Sequence, residues 1–179
     1  MSILKTVKTL QTRRLTLRSA LPQDVPAFFA IMRDPRAMRH WSTLPHASIE
    51  VTQDWMEPMF DPPEQGFEWV ILLDGSVIGK AGGYSLPEVG FILHPDHWGH
   101  GYATEAMQAI IPELFACSDV RALTADVDPL NFESLAVLAK LGFAETHRAA
   151  QTFNLGGVWA DSIYLSLPRP GLAHSSHAD

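Results

Sequence analysis

A glycine-rich turn near the middle of the 179-residue chain carries the first indication of chemistry. The segment Gly99-His100-Gly101-Tyr102-Ala103-Thr104 follows the apolar, β-prone stretch Glu88–Leu93 and precedes a stretch with helical spacing. Backbone N–H groups at the start of a helix have no intrahelical partner, and the helix dipole adds partial positive charge there. The pattern therefore indicates an anion site suited to a phosphate, although the same glycines could serve only the geometry of a turn.

Histidines and aspartates near this turn could also be interpreted as metal ligands. His94, His97 and His100 recur every three residues, and Asp126 and Asp128 alternate at the end of a later strand. A catalytic zinc needs three ligands that converge on one point, whereas a proline and the glycines carry these histidines through a bend. We therefore predict no metal site, with His100 exposed near the phosphates and the two aspartates at a solvated sheet edge.

Apolar periodicity predicts the elements that must position the turn. Pro35 and Pro58 are expected to end the first two helices, and Asp74-Gly75 and Gly156-Gly157 to form hairpin turns. The order predicts one α/β (α+β) domain, with a mixed central sheet of about seven strands, about four flanking helices and a βαβ-like unit over 88–127. The predicted strands are 14–18, 67–73, 76–85, 88–93, 122–127, 146–155 and 158–167, and the predicted helices are 22–34, 48–57, 103–115 and 134–141.

Composition narrows the class of protein. Hydrophobic residues make up 46% of the chain, and 13 Lys and Arg against 20 Asp and Glu leave a formal net charge of −7. An acidic surface repels the phosphate backbone, which argues against a nucleic-acid partner. The single cysteine, Cys117, is expected to be buried, and no apolar run approaches the roughly 20 residues that span a bilayer. We expect a soluble cytoplasmic protein without a secretory signal or a membrane partner.

Two sequence motifs surround and follow the turn. Glu88–Pro95 leads to Trp98–Ala106, and Asn131–Ser134 leads to Lys140–Phe143. In this order they resemble the acetyl-CoA motif and the downstream block of the GCN5-related N-acetyltransferases (GNAT), in the branch that modifies ribosomal-protein amino termini (RimJ/RimL-like). The opening segment Thr12–Arg18 is similar to the first strand of that family.

This resemblance covers about 12–167, so that 1–11 becomes an N-terminal extension and 168–179 a tail expected to be disordered. It implies that acetyl-CoA lies along the strand ending at Leu93, with pantetheine amides pairing as an added strand would. The turn would cradle the pyrophosphate, where Gly101 permits close approach of the backbone. The cofactor-binding residues implied are Phe91, Ile92, Leu93, Gly99, His100, Gly101, Tyr102, Ala103 and Thr104, with Asn131 near the thioester end.

Direct attack of a neutral amine on the thioester carbonyl is the reaction that the resemblance implies. Ser134 is the candidate proton donor to the departing thiolate, unless it only caps its helix. Glu88 is the candidate base, acting directly or through water, unless it is a structural acid that pairs across the sheet. Trp41, together with Trp55 and Phe60, could line a substrate pocket or belong to the core.

The preferred hypothesis is an enzyme that moves an acetyl group from acetyl-CoA to a primary amine, namely the N-terminal α-amine of a protein or peptide. An α-amine titrates at about 8 and a lysine amine at about 10.4, so the α-amine demands less of a base. One alternative acceptor is a small-molecule amine, such as a polyamine, an amino acid or an antibiotic. Another alternative is an acyl-CoA-binding module without turnover. A monomer and a homodimer are both compatible with the sequence.

Overall fold

The computed structural model describes residues 7–62 and 66–171. The strands are β1 (Leu10–Gln11), β2 (Leu15–Arg18), β3 (Phe67–Leu73), β4 (Ser76–Ser85), β5 (Glu88–Leu93), β6 (Ala122–Val127), β7 (Ala144–Leu155) and β8 (Val158–Pro168). The α-helices are α1 (Val25–Met32), α2 (Pro35–Met38), α3 (Ile49–Phe60), α4 (Tyr102–Ala116) and α5 (Phe132–Lys140). One sheet contains these eight strands in the order β1-β2-β3-β4-β5-β6-β8-β7. Within the two ranges, no helix has the length and apolarity needed to cross a membrane.

The predicted fold class and the order of the main elements are confirmed. β3, β4, β5 and β6 have the predicted bounds. The strand beyond the expected seven is β1, which lies inside the predicted N-terminal extension and pairs with β2. At the other end, Arg169 follows β8 and donates hydrogen bonds to the carbonyls of Phe115 (2.8 Å) and Val120 (2.9 Å). Residues 172–179 of the predicted tail lie outside the described residues.

Two prolines act differently from the sequence prediction. Pro35 follows the end of α1, as expected, but it also begins α2, with Asp34 as the N-cap. A proline at the first helical position sacrifices no intrahelical hydrogen bond. The prediction for Pro58 is wrong, because α3 continues through it. Met56 and Met59 on either side of Pro58 are buried in the core, and this packing holds the last turn of α3.

Both predicted hairpin turns are confirmed. Asp74 and Gly75 have φ values of 49° and 82°, and Gly156 and Gly157 have φ values of 59° and 93°. Positive φ at both central residues is typical of the type I′ turn, whose twist matches that of the adjoining strands. Antiparallel hairpins therefore lie on both sides of the parallel unit β5-α4-β6.

Apolar layers cover both faces of the sheet around β3. Trp69 and Ile71 pack in the layer that contains α4 and α5, whereas Val70 and Leu72 pack in the layer that contains α1 and α3. Side chains alternate between the faces of a strand, so burial on both faces produces the continuous apolar run of β3. Cys117 lies just beyond the buried face of α4 and is exposed, so the prediction of a buried cysteine is wrong.

The parallel strands β5 and β6 separate almost where they meet. Glu88 and Thr124 are the register pair that joins them. In contrast, β4 remains paired with β5 as far as Leu93, and every residue of β6 is paired with β8. The backbone of β5 beyond Glu88 therefore faces a gap on the β6 side. This gap is where the sheet can admit a ligand.

Candidate active site

The gap between β5 and β6 opens into a cleft with a volume of about 1110 Å³. Its walls come from the connection between α2 and α3, from α3 itself, from β5 and β6, from the start of α5 and from the β7–β8 hairpin. Ile92 and Leu93 are buried in the two opposite apolar layers, so only their backbone can face a ligand. The cleft brings together five sequence-predicted site residues: Trp41, Glu88, Phe91, Asn131 and Ser134.

The hydroxyl of Ser134 lies in the cleft without a hydrogen-bond partner in the described part of the chain. Asn131 is the N-cap of α5, and its side-chain oxygen accepts the backbone N–H of Ser134 at 3.1 Å. Asn131 therefore performs the capping that was considered for Ser134. The half-buried hydroxyl of Ser134 remains available as a donor at the positive end of a helix dipole.

Glu88 begins β5 and faces the same cleft. Its side chain is open to the solvent of the cleft, yet the surrounding walls desolvate it partly and raise the pKa of its carboxyl. The negative charge of Asp126, on the neighbouring strand β6, raises this pKa further. Within the described ranges Glu88 forms no ion pair, so the alternative of a structural acid paired across the sheet has no contact to support it. A carboxylate with a raised pKa is a better proton acceptor near neutral pH.

A histidine that the sequence analysis missed lies opposite the end of β6. His40 Nδ1 is 2.8 Å from Asp128 Oδ2, and both side chains are largely buried in the lining of the cleft. The expectation that Asp128 is a solvated edge residue is therefore wrong. His40 directly precedes Trp41, which was considered for the pocket, but nothing local in the sequence connects either residue with Asp128.

Aromatic and charged side chains form the floor of the cleft below α3. Lys80 and Glu68 form a buried ion pair, and Lys80 Nζ lies 4.7 Å from the ring centroid of Trp55. Trp41 and Trp55 are half-buried, and each both packs against the core and lines the cleft. Phe60 packs against the same core but does not contribute to the lining. These tryptophans thus belong partly to the core and partly to the lining of the cleft.

Negative charge predominates in the lining. The permanent cations there are Arg39 and Lys80, whereas six side chains carry carboxylates: Asp54, Glu68, Glu88, Asp126, Asp128 and Asp161. A concave surface lined mainly by one sign of charge concentrates ligands of the opposite sign. The cleft therefore favours entry of a cationic group such as an ammonium.

The glycine turn (Gly99–Thr104) begins α4 at the other end of β5. Gly99 and Gly101 have φ values of 76° and 78°, a backbone conformation that favours glycine. The tyrosine of the turn stacks on His100, with ring centroids 5.6 Å apart, and Ala103 is buried. A hollow of about 400 Å³ beside the turn is lined by Arg13, Arg14, Gly101, Thr104, Glu105, Gln108 and Lys140.

Three basic residues of this hollow were not predicted, namely Arg13, Arg14 and Lys140. Arg14 is held in place by Glu105, since its Nε donates to Oε2 at 2.6 Å, and its Nη1 donates to the carbonyl of His100 at 2.9 Å. Burial alone would raise the pKa of Glu105, but hydrogen bonds from Thr12 and Arg14 outweigh it and lower that pKa. The loop before β2 thus supplies fixed positive charge beside the backbone donors of the turn. The signal that could have indicated this role is the pair of adjacent arginines directly before β2.

The histidines around the turn do not converge. His94 Nδ1 accepts the backbone N–H of Asp96 at 3.3 Å, and His100 stacks on Tyr102. Across residues 7–62 and 66–171, no three His, Cys, Asp or Glu side chains are arranged so that they could hold a metal ion.

Comparisons with known proteins agree with this architecture. Residues 14–144 match the family model of the acetyltransferase (GNAT) domain. The N-acetyltransferase p20 of Bacillus licheniformis is 28% identical over 147 residues, which cover 76% of this chain and 83% of that protein. The N-acetyltransferase YoaA of Bacillus subtilis is 26% identical over 171 residues, which cover 90% of this chain and 97% of that protein. A solved acetyltransferase of Salmonella typhimurium modifies the N-terminal serine of ribosomal protein L7/L12. It superposes on this chain with a TM-score of 0.80 at 18% identity, and the match covers 90% of this chain and 99% of that chain. The chain therefore belongs to the GNAT acetyltransferase family and is an acetyl-CoA-dependent N-acetyltransferase.

Proposed function

We propose that this N-acetyltransferase modifies the N-terminal α-amine of a protein or peptide. The observation that carries the proposal is the cleft at the divergence of β5 and β6, where Glu88 and Ser134 line one acid-rich space. A base candidate and a proton-donor candidate thereby share the cavity that a cationic acceptor would enter.

The residues present fit acetyl-CoA. The unpaired edge of β5 beyond Glu88 offers backbone groups to the amides of pantetheine. The left-handed glycine turn precedes the first backbone N–H groups of α4, which a helix start leaves available for an anion, and Arg13, Arg14 and Lys140 add positive charge for the phosphates. When bound, acetyl-CoA supplies the activated acetyl group. The backbone donors of the turn and the three basic side chains beside it make the local environment favourable for phosphates despite the net charge of −7.

Glu88 is the proton acceptor in the proposed mechanism. The acceptor amine must be neutral to attack, and an α-amine with a pKa of about 8 is mostly protonated at pH 7. The raised pKa of Glu88 brings its basicity closer to that of the amine, so that the proton moves with a smaller free-energy cost. Glu88 acts directly or through one water molecule.

Ser134 is the proton donor to the sulfur as the C–S bond breaks. Among the residues that the structure describes, none forms a competing hydrogen bond with its hydroxyl, which lies in the first turn of α5. The helix dipole places partial positive charge near this end, which stabilises negative charge that develops on the sulfur. Asn131 fixes the backbone at Ser134, from which the hydroxyl projects.

The cleft has a volume of about 1110 Å³ and includes the edge of β5 that would bind pantetheine, so it can admit either a peptide N-terminus or a small amine beside acetyl-CoA. The structural similarity to an enzyme that modifies the N-terminal serine of a ribosomal protein supports the proposal. The excess of carboxylates favours a second candidate as well, a small cationic amine such as a polyamine.

A panel of acceptors tests the proposal. We expect CoA release with peptides that have a free N-terminus, and a mass increase of one acetyl group located on the first residue. Matched peptides with a blocked N-terminus and a free lysine serve as the control, and polyamines and single amino acids form a separate arm. Turnover confined to the small amines would overturn the peptide assignment. Binding of acetyl-CoA without turnover in any arm would instead favour a binding module.

A further inference from the structure

His40 and Asp128 connect two walls of the cleft that are distant in the chain. The segment between α2 and α3 carries His40, and the segment after β6 carries Asp128. His40 Nδ1 lies 2.8 Å from Asp128 Oδ2, while the other carboxylate oxygen accepts the backbone N–H of Leu130 at 2.8 Å. The side chains of His40 and Asp128 are 17% and 20% exposed. Both oxygens of the aspartate are therefore engaged, which fixes its orientation toward the imidazole.

This contact determines which nitrogen of His40 carries the proton. An ionised carboxylate can only accept hydrogen bonds, so Nδ1 must donate to Asp128. In the neutral imidazole the other nitrogen, Nε2, is then an acceptor. No residue in the described ranges occupies Nε2 with a hydrogen bond. His40 therefore presents an oriented lone pair in the lining shared with Glu88 and Ser134.

Acetyl transfer to a protonated amine removes two protons from the acceptor nitrogen. The acceptor R–NH3⁺ becomes R–NH–CO–CH3, so its nitrogen releases two protons. One proton ends on the sulfur of CoA and the other in solvent. A single carboxylate that holds the first proton cannot take the second until it has released the first. The proposed mechanism leaves the second proton without a named acceptor.

We propose that Nε2 of His40 accepts this second proton, and that Asp128 is the positioning residue that, by accepting the hydrogen bond from Nδ1, leaves the lone pair of the neutral imidazole on Nε2. This inference rests on the proposed N-acetyl transfer in the cleft. The lone pair of the amine nitrogen forms the C–N bond while Nε2 of His40 takes the second proton from that nitrogen. The electron pair of the breaking C–S bond stays on the sulfur, which receives the hydroxyl proton of Ser134. The proton on His40 then returns to the oxygen of Ser134, and the first proton leaves from Glu88 to solvent.

The loop after β6 couples this path to α5. The carbonyl of Asp128 accepts the backbone N–H of Asn131 at 2.9 Å, and Asn131 caps the helix that carries Ser134. The turn that orients His40 thus also begins the helix that supplies the proton donor.

Conservative variants separate a catalytic role from a structural one. Glutamine at position 40 can still donate to Asp128 but cannot accept a proton, so His40→Gln should lower kcat by roughly 10²-fold. The KM for acetyl-CoA should be unchanged, because His40 does not contribute to the hollow beside the glycine turn. His147→Gln is the matched control, since His147 is exposed on β7 outside the lining and should retain kcat. A kcat for His40→Gln within twofold of wild type would overturn the proposal.

Chemical rescue provides a readout that a purely structural residue would not give. In His40→Ala, added imidazole can occupy the vacated space beside Asp128 and should restore part of kcat in a saturable manner. The double variant His40→Ala with Asp128→Asn should be rescued less, because the orienting carboxylate is absent. Equal rescue of both variants would remove the assigned role of Asp128.

The tautomer of His40 can be measured without any acceptor. Long-range ¹H–¹⁵N correlation spectra of ring-labelled protein should show the proton on Nδ1 in wild type and a changed distribution in Asp128→Asn. A proton on Nε2 in the wild-type protein would overturn the proposal even if turnover is observed. If peptides fail as acceptors but a small amine is acetylated, the peptide assignment fails, and the kinetic comparison of the His40 variants proceeds with that amine.

Discussion

The glycine turn takes its residues from one continuous segment at the start of α4, whereas the cleft takes its side chains from segments that lie far apart in the chain. The turn offers mainly backbone groups, whose direction follows from φ values of 76° and 78° at Gly99 and Gly101. The cleft offers side chains, whose proximity depends on the divergence of β5 and β6.

This difference separates the two tasks of the enzyme. A substitution in the turn changes backbone conformation and should act on affinity for acetyl-CoA. A substitution in the cleft changes a reacting group and should act on the chemical step.

The largest effect is expected at Ser134. Ser134→Ala removes the proton donor and should lower kcat by roughly 10²-fold, while the Kd for acetyl-CoA remains that of wild type. CoA release under saturating substrates and calorimetric titration with acetyl-CoA measure the two quantities. Ser76→Ala, at the exposed start of β4, is the matched control. A normal kcat with weakened acetyl-CoA binding would place Ser134 with the turn rather than with the chemistry.

An intermediate effect is expected at Gly101. A Cβ there would meet only Arg14 Nη2, at 3.7 Å, so the cost of Gly101→Val arises from its left-handed φ and not from a clash. Strain of about 1–2 kcal/mol corresponds to a roughly tenfold weaker Kd for acetyl-CoA if the turn relaxes to relieve it.

Gly75→Val is the matched control for that experiment. Gly75 has a φ of 82° and open space around it, but it lies in the β3–β4 turn. Comparable strain there should lower stability without changing the Kd for acetyl-CoA. Equal affinities of the Gly101 variant and wild type would exclude the turn as the phosphate site.

The smallest effect concerns the pH dependence of the cleft. Glu88 accepts a proton only when ionised, and its pKa lies above the ordinary 4.5. After correction for ionisation of the acceptor, kcat/KM should therefore fall as the pH drops through this raised pKa. Asp126→Asn removes the second of the two causes of the shift, so the acid limb should move to lower pH by a fraction of a unit. The pH profile of Asp119→Asn, a change at an exposed residue after α4, should match wild type.

An unchanged acid limb in Asp126→Asn would show that a group other than Glu88 controls it. Binding of acetyl-CoA should remain the same in this variant, because Asp126 does not line the hollow beside the turn. A parallel change in acetyl-CoA affinity would break the separation between the two regions.

Local features were predictable because their causes are local. The bounds of β3 follow from an apolar run that ends at Asp74, and the hairpin there follows from residues that tolerate positive φ. Asn131 and Ser134 belong to one short motif, so their joint position at the start of α5 was also accessible. The error at Pro58 has the opposite origin, since buried neighbours outweighed the local preference of proline.

The missed residues depend on contacts across the fold. His40 and Asp128 are 88 positions apart, and Arg14 and Glu105 are 91 apart, so no periodicity connects the members of either pair. Cys117 was assigned to the core because of its residue type, but it lies where α4 leaves the core.

The sequence by itself determined the order of the elements, the two type I′ turns and the position of the glycine turn, because backbone preferences and apolar periodicity act over a few residues. Only the tertiary structure decided that β5 and β6 separate after a single register pair. It also decided that His40, Glu88, Asp128 and Ser134 line one cleft. The physical reason is that these proximities result from the packing of helices against both faces of the sheet, which no short stretch of sequence encodes.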